Sequence, residues 1–434
     1  MWTKVAQGPE MTEEIRIPIG VGIAGQVAQT GEIINIPDAY VDPRFNRDID
    51  KGTGYHTRHI LGVPLRAHTG ESTGVLQVLN KMDRGQHAFT EEDEDLLLAL
   101  GAHAAAAIEN TLLYEEIDQL FEGFVKASVF AIEARDPTTS GHSERVALLT
   151  TAIAQKVDQA GDGPYGNLRF DYDAMREIRY AALLHDFGKV GVREHVLTKA
   201  KKLYPGELAM IETRFQALAA QRKNEHLMNM LRTLQAGGEL SVAHENRLQE
   251  ELQRIDELLA FVRHCNEPTV LDSSGFERLR DIAEITYEDI SQQKSPILSE
   301  TDLKRLSIPR GTLDSDERHE IESHVTHTYH FLAQIPWTRA LRQVPEIAYA
   351  HHETLDGAGY PRALKSVQIP VQSRMMTIAD IYDALTASDR PYKRAVPHDR
   401  ALDILMQEAK QQRLDSVLLD IFIQGKVYQA VLTG

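Results

Sequence analysis

Leu183-Leu184-His185-Asp186-Phe187-Gly188-Lys189 puts a histidine and an aspartate side by side on a stretch that reads as helix. Adjacent helical residues point about 100° apart, so such a pair reaches two metal ions from one turn, the carboxylate bridging with both oxygens while the imidazole binds one. A second cluster opens far downstream with His351-His352-Glu353, and His142, His324 and Asp380 lie on further helical stretches. Neutral imidazoles and carboxylates converging in a helical bundle meet the needs of a multinuclear hydrolytic site, and the pattern predicts an enzyme.

The chain around these residues has 434 residues, enough for two or three domains with cores of their own. A net charge of −17 argues against a general DNA, RNA or anionic-membrane binder, because phosphate backbones select basic surfaces. A small anionic ligand stays open, since metals and a few Lys or Arg reverse the field locally. Cys265 is the single cysteine, which excludes an internal disulfide and cysteine-rich zinc sites and suits a reducing cytoplasm. No run approaches the roughly 18 apolar residues of a membrane span, and the N-terminus lacks a signal-peptide layout. The expectation is a bacterial, cytoplasmic protein.

The fold class expected is multidomain α+β. Up to about residue 90, Ile15–Ile19, Glu32–Ile36, His59–Leu65 and Thr73–Leu79 read as strands between Gly, Pro, Asn and Asp turns. From Glu91 the spacing of Leu96, Leu97, Leu100, Ile108, Leu112, Ile117, Leu120 and Phe124 predicts a long connecting helix, with Thr90 as N-cap and acidic residues in its first turn. Such a helix serves as coupler between domains or as the seam of a parallel homodimer. Beyond Pro137 almost everything reads as helix. Within it, residues 204–310 form an insertion: Leu208, Ile211, Phe215 and Leu218, then Leu248, Leu252, Ile255, Leu259 and Val262, predict an antiparallel helical hairpin broken at Gly237-Gly238. The domain reading is 1–115 for the sheet-bearing domain and 116–434 for the helical one.

The segment Glu133 to Val146 with His142, the His185-Asp186 pair, and Thr377-Ile378-Ala379-Asp380 together resemble the H…HD…D ligand set of the HD phosphohydrolase superfamily. His351-His352-Glu353-Thr354-Leu355-Asp356-Gly357-Ala358-Gly359-Tyr360-Pro361 looks like the HHExxDGxGYP signature of its HD-GYP subfamily, supported by Lys189 and by Ser388 to Lys393. The resemblance covers roughly residues 125–203 and 311–410. It implies an all-helical bundle that hydrolyses the bacterial second messenger cyclic di-GMP. It implies metal ligands at His142, His185, Asp186, His324, His351, His352 and Asp380, with Asp186 bridging two ions. Lys189 would stabilise phosphate or protonate the leaving 3′-oxygen. Tyr360, flanked by Gly359 and Pro361, would meet guanine and phosphate together with Arg390 and Lys393, arginine being suited to bidentate phosphate contact. Imidazole and carboxylate without thiolate favour iron or manganese, with zinc left open on ligand type. One departure matters: members with a third metal carry a glutamate where Thr138 stands, and a neutral hydroxyl is a poor bridging ligand. The expectation is two ions, which favours cleavage to linear pGpG over full conversion to GMP.

The N-terminal stretches Ile33 to Tyr40, Asp42 to Asn46, Thr57 to Leu65 and Gly74 to Lys81 resemble a GAF domain. Asn80-Lys81, Phe89 and Asp93-Glu94 fit the NKxnFx3DE pattern of GAF domains from cyclic-nucleotide phosphodiesterases. That suggests a cyclic nucleotide or another small ligand, or a module used for dimerisation alone. A GAF domain normally starts with a helix and two strands before the point matching Met1, so the expectation is an incomplete domain. The resemblances together imply a GAF-regulated phosphodiesterase for cyclic di-GMP. Alternatives are another cyclic dinucleotide such as 3′,3′-cyclic GMP-AMP, or a non-catalytic scaffold binding diguanylate cyclase (GGDEF) domains.

Overall fold

The computed structural model describes residues 16–66, 68, 70–82, 88–136, 140–161, 163–239, 242–268, 270–289, 291–387 and 395–431. The chain divides into two compact units, Met1–Phe124 and Val125–Gly434.

In the first unit, α1 (Gly22–Thr30) precedes β1 (Ile34–Ile36), α2 (Arg47–Thr53), β2 (Ile60–Arg66) and β3 (Ser72–Leu79). The strands form an antiparallel sheet in the order β1-β2-β3, pairing Ile34 with Gly62 and Val63 with Leu76. Its two faces bury separate clusters, one around Ile23, Val27, Ile36 and Ile60, the other around Leu61, Val63 and Leu97. The strand expected at Ile15–Ile19 does not form over its described residues. Arg16 makes an isolated bridge, and Pro18, which has no N–H for a ladder, leads into a turn.

Helix α3 runs from Glu91 to Arg135, as its spacing predicts, and the boundary between the two units falls inside it. Thr90 and Asp93 cap its start reciprocally: the Thr90 N–H donates to Asp93 Oδ2 at 2.7 Å and the Asp93 N–H to Thr90 Oγ1 at 3.4 Å. The NKxnFx3DE residues form a clasp around this cap. Lys81 pairs with Asp93 at 2.5 Å, and the Asn35 amide donates to Phe89 O at 3.0 Å and to Glu94 Oε1 at 2.7 Å. Asn80, at φ 54°, accepts the Arg58 N–H and donates to His56 O. By length and composition α3 is apolar enough to cross a membrane, a test that a packed helix of a water-soluble protein meets as well. Its apolar content is split between two roles: Leu97 and Ala105 are buried, while Leu96, Leu100, Leu113, Ile117 and Leu120 are exposed.

The second unit is built from α4 (His142–Gln159), α5 (Tyr172–Leu184), a 3-10 turn (Phe187–Gly191), α6 (Glu194–Leu197), α7 (Pro205–Gln235) and α8 (Val242–Cys265). Then follow α9 (Ser273–Glu284), β4 (Thr286–Glu288), β5 (Lys294–Pro296), α10 (Glu300–Leu306), α11 (Ser315–Leu332), α12 (Val344–Tyr349), α13 (Val371–Thr386), α14 (His398–Lys410) and α15 (Ser416–Gln424). α4 packs on α5 and α13, α12 on α5 and α11, and α11 on the 3-10 turn. α7 and α8 make the expected hairpin, and Ile211, Phe215, Leu218, Ile255 and Val262 bury its seam. The small β4-β5 hairpin beside it is not visible in a reading that sees only helix here. Lys199 and the Tyr204 hydroxyl both reach Glu317 on α11, at 2.6 Å and 2.8 Å, so the root of the insertion grips the helix that carries His324.

Candidate metal centre

His185 and Asp186 do not sit in a helix interior. α5 ends at Leu184, His185 caps it, and Asp186 opens the 3-10 turn with φ −97°. The tighter turn brings Gly188 against α11, where its N–H donates to Thr328 Oγ1 at 2.8 Å and that hydroxyl donates to His185 O at 3.0 Å. His142 is the first residue of α4, His324 lies in α11, His351 and His352 follow α12, and Asp380 lies in α13.

These seven side chains meet. His142 Nε2 lies 3.3 Å from Asp380 Oδ1. Asp186 turns its oxygens to opposite sides: Oδ2 is 3.5 Å from His185 Nε2 and 3.8 Å from His142 Nε2, while Oδ1 is 3.2 Å from His324 Nε2. Ring centroids link His185 to His351 at 4.9 Å, His324 to His352 at 5.3 Å, and His351 to His352 at 4.0 Å. Among the described residues, two groups have ligand atoms close enough to share an ion: His142, His185 and Asp186, and His324, His351 and His352.

The tautomers are fixed by the backbone. His185 Nδ1 contacts Ala182 O at 2.6 Å, His324 Nδ1 contacts Ile321 O at 2.5 Å, and His351 Nδ1 contacts Ala348 O at 2.7 Å. A carbonyl oxygen only accepts, so each Nδ1 carries the hydrogen and each Nε2 presents a lone pair. Those three Nε2 atoms are buried without a well-formed hydrogen bond among the described residues. Lone pairs facing carboxylate oxygens repel, and a cation between them turns the repulsion into coordination. The donor set thus fits divalent metals, which HD domains bind.

Charge in the centre follows from burial and neighbours. Burial holds His185 below its ordinary range, His351 far below it and His352 down to about 4, with neighbouring imidazoles adding to the effect. Burial would also lower His142, but hydrogen bonds to Asp380 and Asp383 outweigh it and push it up to about 9. Burial would raise Asp186, yet Lys189 and the surrounding imidazoles keep it well below the usual carboxylate range. Lys189 Nζ lies 2.7 Å from Asp186 Oδ2 and 3.5 Å from Asp136 Oδ2; burial would lower it, and the two carboxylates hold it above its usual value.

The Gly-Tyr-Pro loop folds back onto the centre. Tyr360 lies against His352, ring centroids 4.8 Å apart, and its N–H donates to His352 O at 3.2 Å. At Gly359 a Cβ would come within 2.4 Å of Thr354 N and 2.6 Å of His352 O, so only glycine lets the loop approach this closely. Pro361 follows, and Gly357 supplies φ 81° for the turn before it. The sequence reading gave Glu353 no role. It is buried and anchors this loop, accepting the Arg362 N–H on Oε1 and the Leu364 N–H on Oε2, both at 2.8 Å. Its signal was adjacency to two histidines, which suggests a ligand more readily than a loop anchor. Arg390, Lys393 and Thr138 lie outside the described residues.

Comparison with known proteins bears on both units. Residues 2–108 match the GAF domain family, and residues 139–270 and 300–418 match two models of the HD domain. Among curated proteins it resembles the dual 3′,5′-cyclic-AMP and -GMP phosphodiesterase 11 of Drosophila melanogaster, 43% identical over 107 residues, 25% of this chain and 7% of the relative. It also resembles the dual 3′,5′-cyclic-AMP and -GMP phosphodiesterase 11A of Takifugu rubripes, 46% identical over 101 residues, 23% of this chain and 11% of the relative. The chain thus spans about a tenth or less of the length of these relatives.

Proposed function

We propose that this chain is a metal-dependent cyclic dinucleotide phosphodiesterase that opens cyclic di-GMP to linear pGpG under control of its GAF domain. The observation that carries the reading is the division of Asp186, one oxygen toward each group of imidazoles. Two divalent cations, iron or manganese by donor type, would be held by His142, His185, Asp186 and Asp380 and by Asp186, His324, His351 and His352; when bound they supply Lewis-acid polarisation and an activated water. Lys189 would donate a hydrogen bond to a phosphate oxygen or a proton to the departing 3′-oxygen as the P–O3′ bond breaks. Tyr360, packed beside His352, would meet a guanine, and Gly359 and Pro361 shape the loop that carries it. Arg390 and Lys393 complete the proposed phosphate contacts.

The matches to the two relatives are about as long as the GAF match, and we read them as belonging to it. They support a 3′,5′-cyclic nucleotide as a candidate GAF ligand more than as the substrate of the helical unit. Exposed Leu113, Ile117, Leu120 and Phe124, spaced by four, three and four along α3, support a homodimer seam. Manganese- or iron-loaded protein incubated separately with cyclic di-GMP, 3′,3′-cyclic GMP-AMP, cyclic AMP and cyclic GMP, with products separated by chromatography, tests the reading. The expected product is pGpG from the first. Turnover of cyclic AMP or cyclic GMP alone would replace the substrate, and turnover of none would favour a scaffold.

A further prediction concerns the loop. Glu353→Gln puts an amide NH2 against one of the two N–H groups it now accepts, losing a buried hydrogen bond worth about 1–3 kcal/mol. The expected result is a KM raised several-fold with bound metal per chain unchanged. Loss of metal instead would make Glu353 part of the ligand set.

A further inference from the structure

We propose that Asp383 is a positioning residue that locks His142 as a ligand and makes the cation position it serves the tighter of the two. This rests on the two-cation reading above. His142 differs from the other imidazoles in its support. It opens α4, whereas the Nδ1 atoms of the others are served by the carbonyls of Ala182, Ile321 and Ala348, each three residues earlier. Asp383 takes that place, with Oδ2 2.7 Å from His142 Nδ1, and it is 2% exposed. The Arg145 guanidinium holds the same carboxylate from the other side, donating from Nε to Oδ1 at 2.6 Å and from Nη2 to Oδ2 at 3.1 Å. Asp383 stands three residues after Asp380 on α13, so one helix face supplies both a candidate ligand and the group that orients its neighbour.

A carboxylate behind a ligating imidazole fixes its tautomer and raises its basicity, and removing such a partner typically costs about 10–100-fold in metal affinity. The two positions are therefore unequal. The one beside His142 and His185 faces Asp186 Oδ2 and Asp380 Oδ1, with Asp383 behind. The one beside His324, His351 and His352 has Asp186 Oδ1 3.2 Å from His324 Nε2, with Asp380 acting on His352 from the side of the first position, and its imidazoles whose Nδ1 partners are described lean on neutral carbonyls. Affinity for a divalent cation rises with the negative charge around it, so the first position fills first.

The test is a cobalt(II) titration of metal-free full-length protein, followed by visible absorption, with ions per chain counted by native mass spectrometry. Wild type is expected to bind two ions in distinct steps. Asp383→Asn should weaken the first step by about 10–100-fold and leave the second unmoved. In a His142→Ala background, Asp383→Asn should change nothing further, because its action runs through that ring. Nitrogen-15 spectra of zinc-loaded wild type should show His142 carrying its hydrogen on Nδ1, a readout that requires no variant to fold. An unchanged first step in Asp383→Asn, equal weakening of both steps, an added loss in the His142→Ala background, or a hydrogen on His142 Nε2 overturns the proposal. Wild type that takes up no cobalt overturns the two-cation reading itself.

Discussion

Asp186→Ala is expected to reduce turnover at least about 1,000-fold, on the order of 4 kcal/mol of barrier, and to lower bound metal below two ions per chain. The reason is its shared position. Its two oxygens contact imidazoles of both groups, so deletion leaves each group short of a ligand and removes the link between them. Deletion also strips Lys189 of its partner at 2.7 Å, leaving Asp136 at 3.5 Å as the nearer carboxylate. A buried ammonium less fully neutralised then opposes the cations the pocket is built to hold. Asp186→Asn separates charge from shape: it keeps the volume and one acceptor oxygen but loses the charge and the second oxygen. We expect it to resemble Asp186→Ala in turnover, with a smaller loss of metal. Metal analysis and the product assay on the same preparation check both outcomes, and undiminished turnover in Asp186→Ala would remove the bridging role.

Much of this arrangement was legible in the sequence because few residue types can do the chemistry. Imidazole beside carboxylate at His185-Asp186, with a histidine pair at His351-His352, marks a convergence that no composition argument would suggest, and the structure brings those residues to one place. The long helix and the α7-α8 hairpin were legible because leucine and isoleucine spacing of three and four reports a buried stripe directly. Other features depend on contacts that spacing does not encode. The 3-10 turn after Leu184 exists because Gly188 lets the chain press against α11, and a helical reading of His185 to Lys189 has no term for that neighbour. β4 and β5 are three residues each, too short for alternation to register. Asp383 and Glu353 are ordinary acidic residues until the partners of their oxygens are known, and those partners lie on distant or folded-back segments.

Gly188→Ala carries the second large expectation. A Cβ at this position would lie 1.9 Å from His324 O and 2.5 Å from Thr328 N, where ordinary contact begins near 3.4 Å. The obstacle is helix backbone, so no rotamer change relieves it. α11 cannot easily retreat: its capping box at Asp314 and Glu317 is held by Lys199 and Tyr204, and Phe331 stacks on Phe187 with ring centroids 3.7 Å apart. The added methyl group must therefore either break the 3-10 turn or move α11 away from it. Either movement separates His324 from Asp186 Oδ1, which now lie 3.2 Å apart, so stability and metal uptake should fall together. We expect a cost of about 3–5 kcal/mol, a melting temperature lower by on the order of 10 °C, and loss of the ion beside His324. Gly206→Ala is the control, since a Cβ there meets nothing within 4 Å in the first turn of α7 and alanine favours helix. It should match or slightly exceed wild type in melting. Calorimetry of the three proteins, with metal content on the same samples, decides the matter: a Gly188→Ala protein that melts with wild type and keeps both ions would mean that α11 and the His-Asp turn are not locked together.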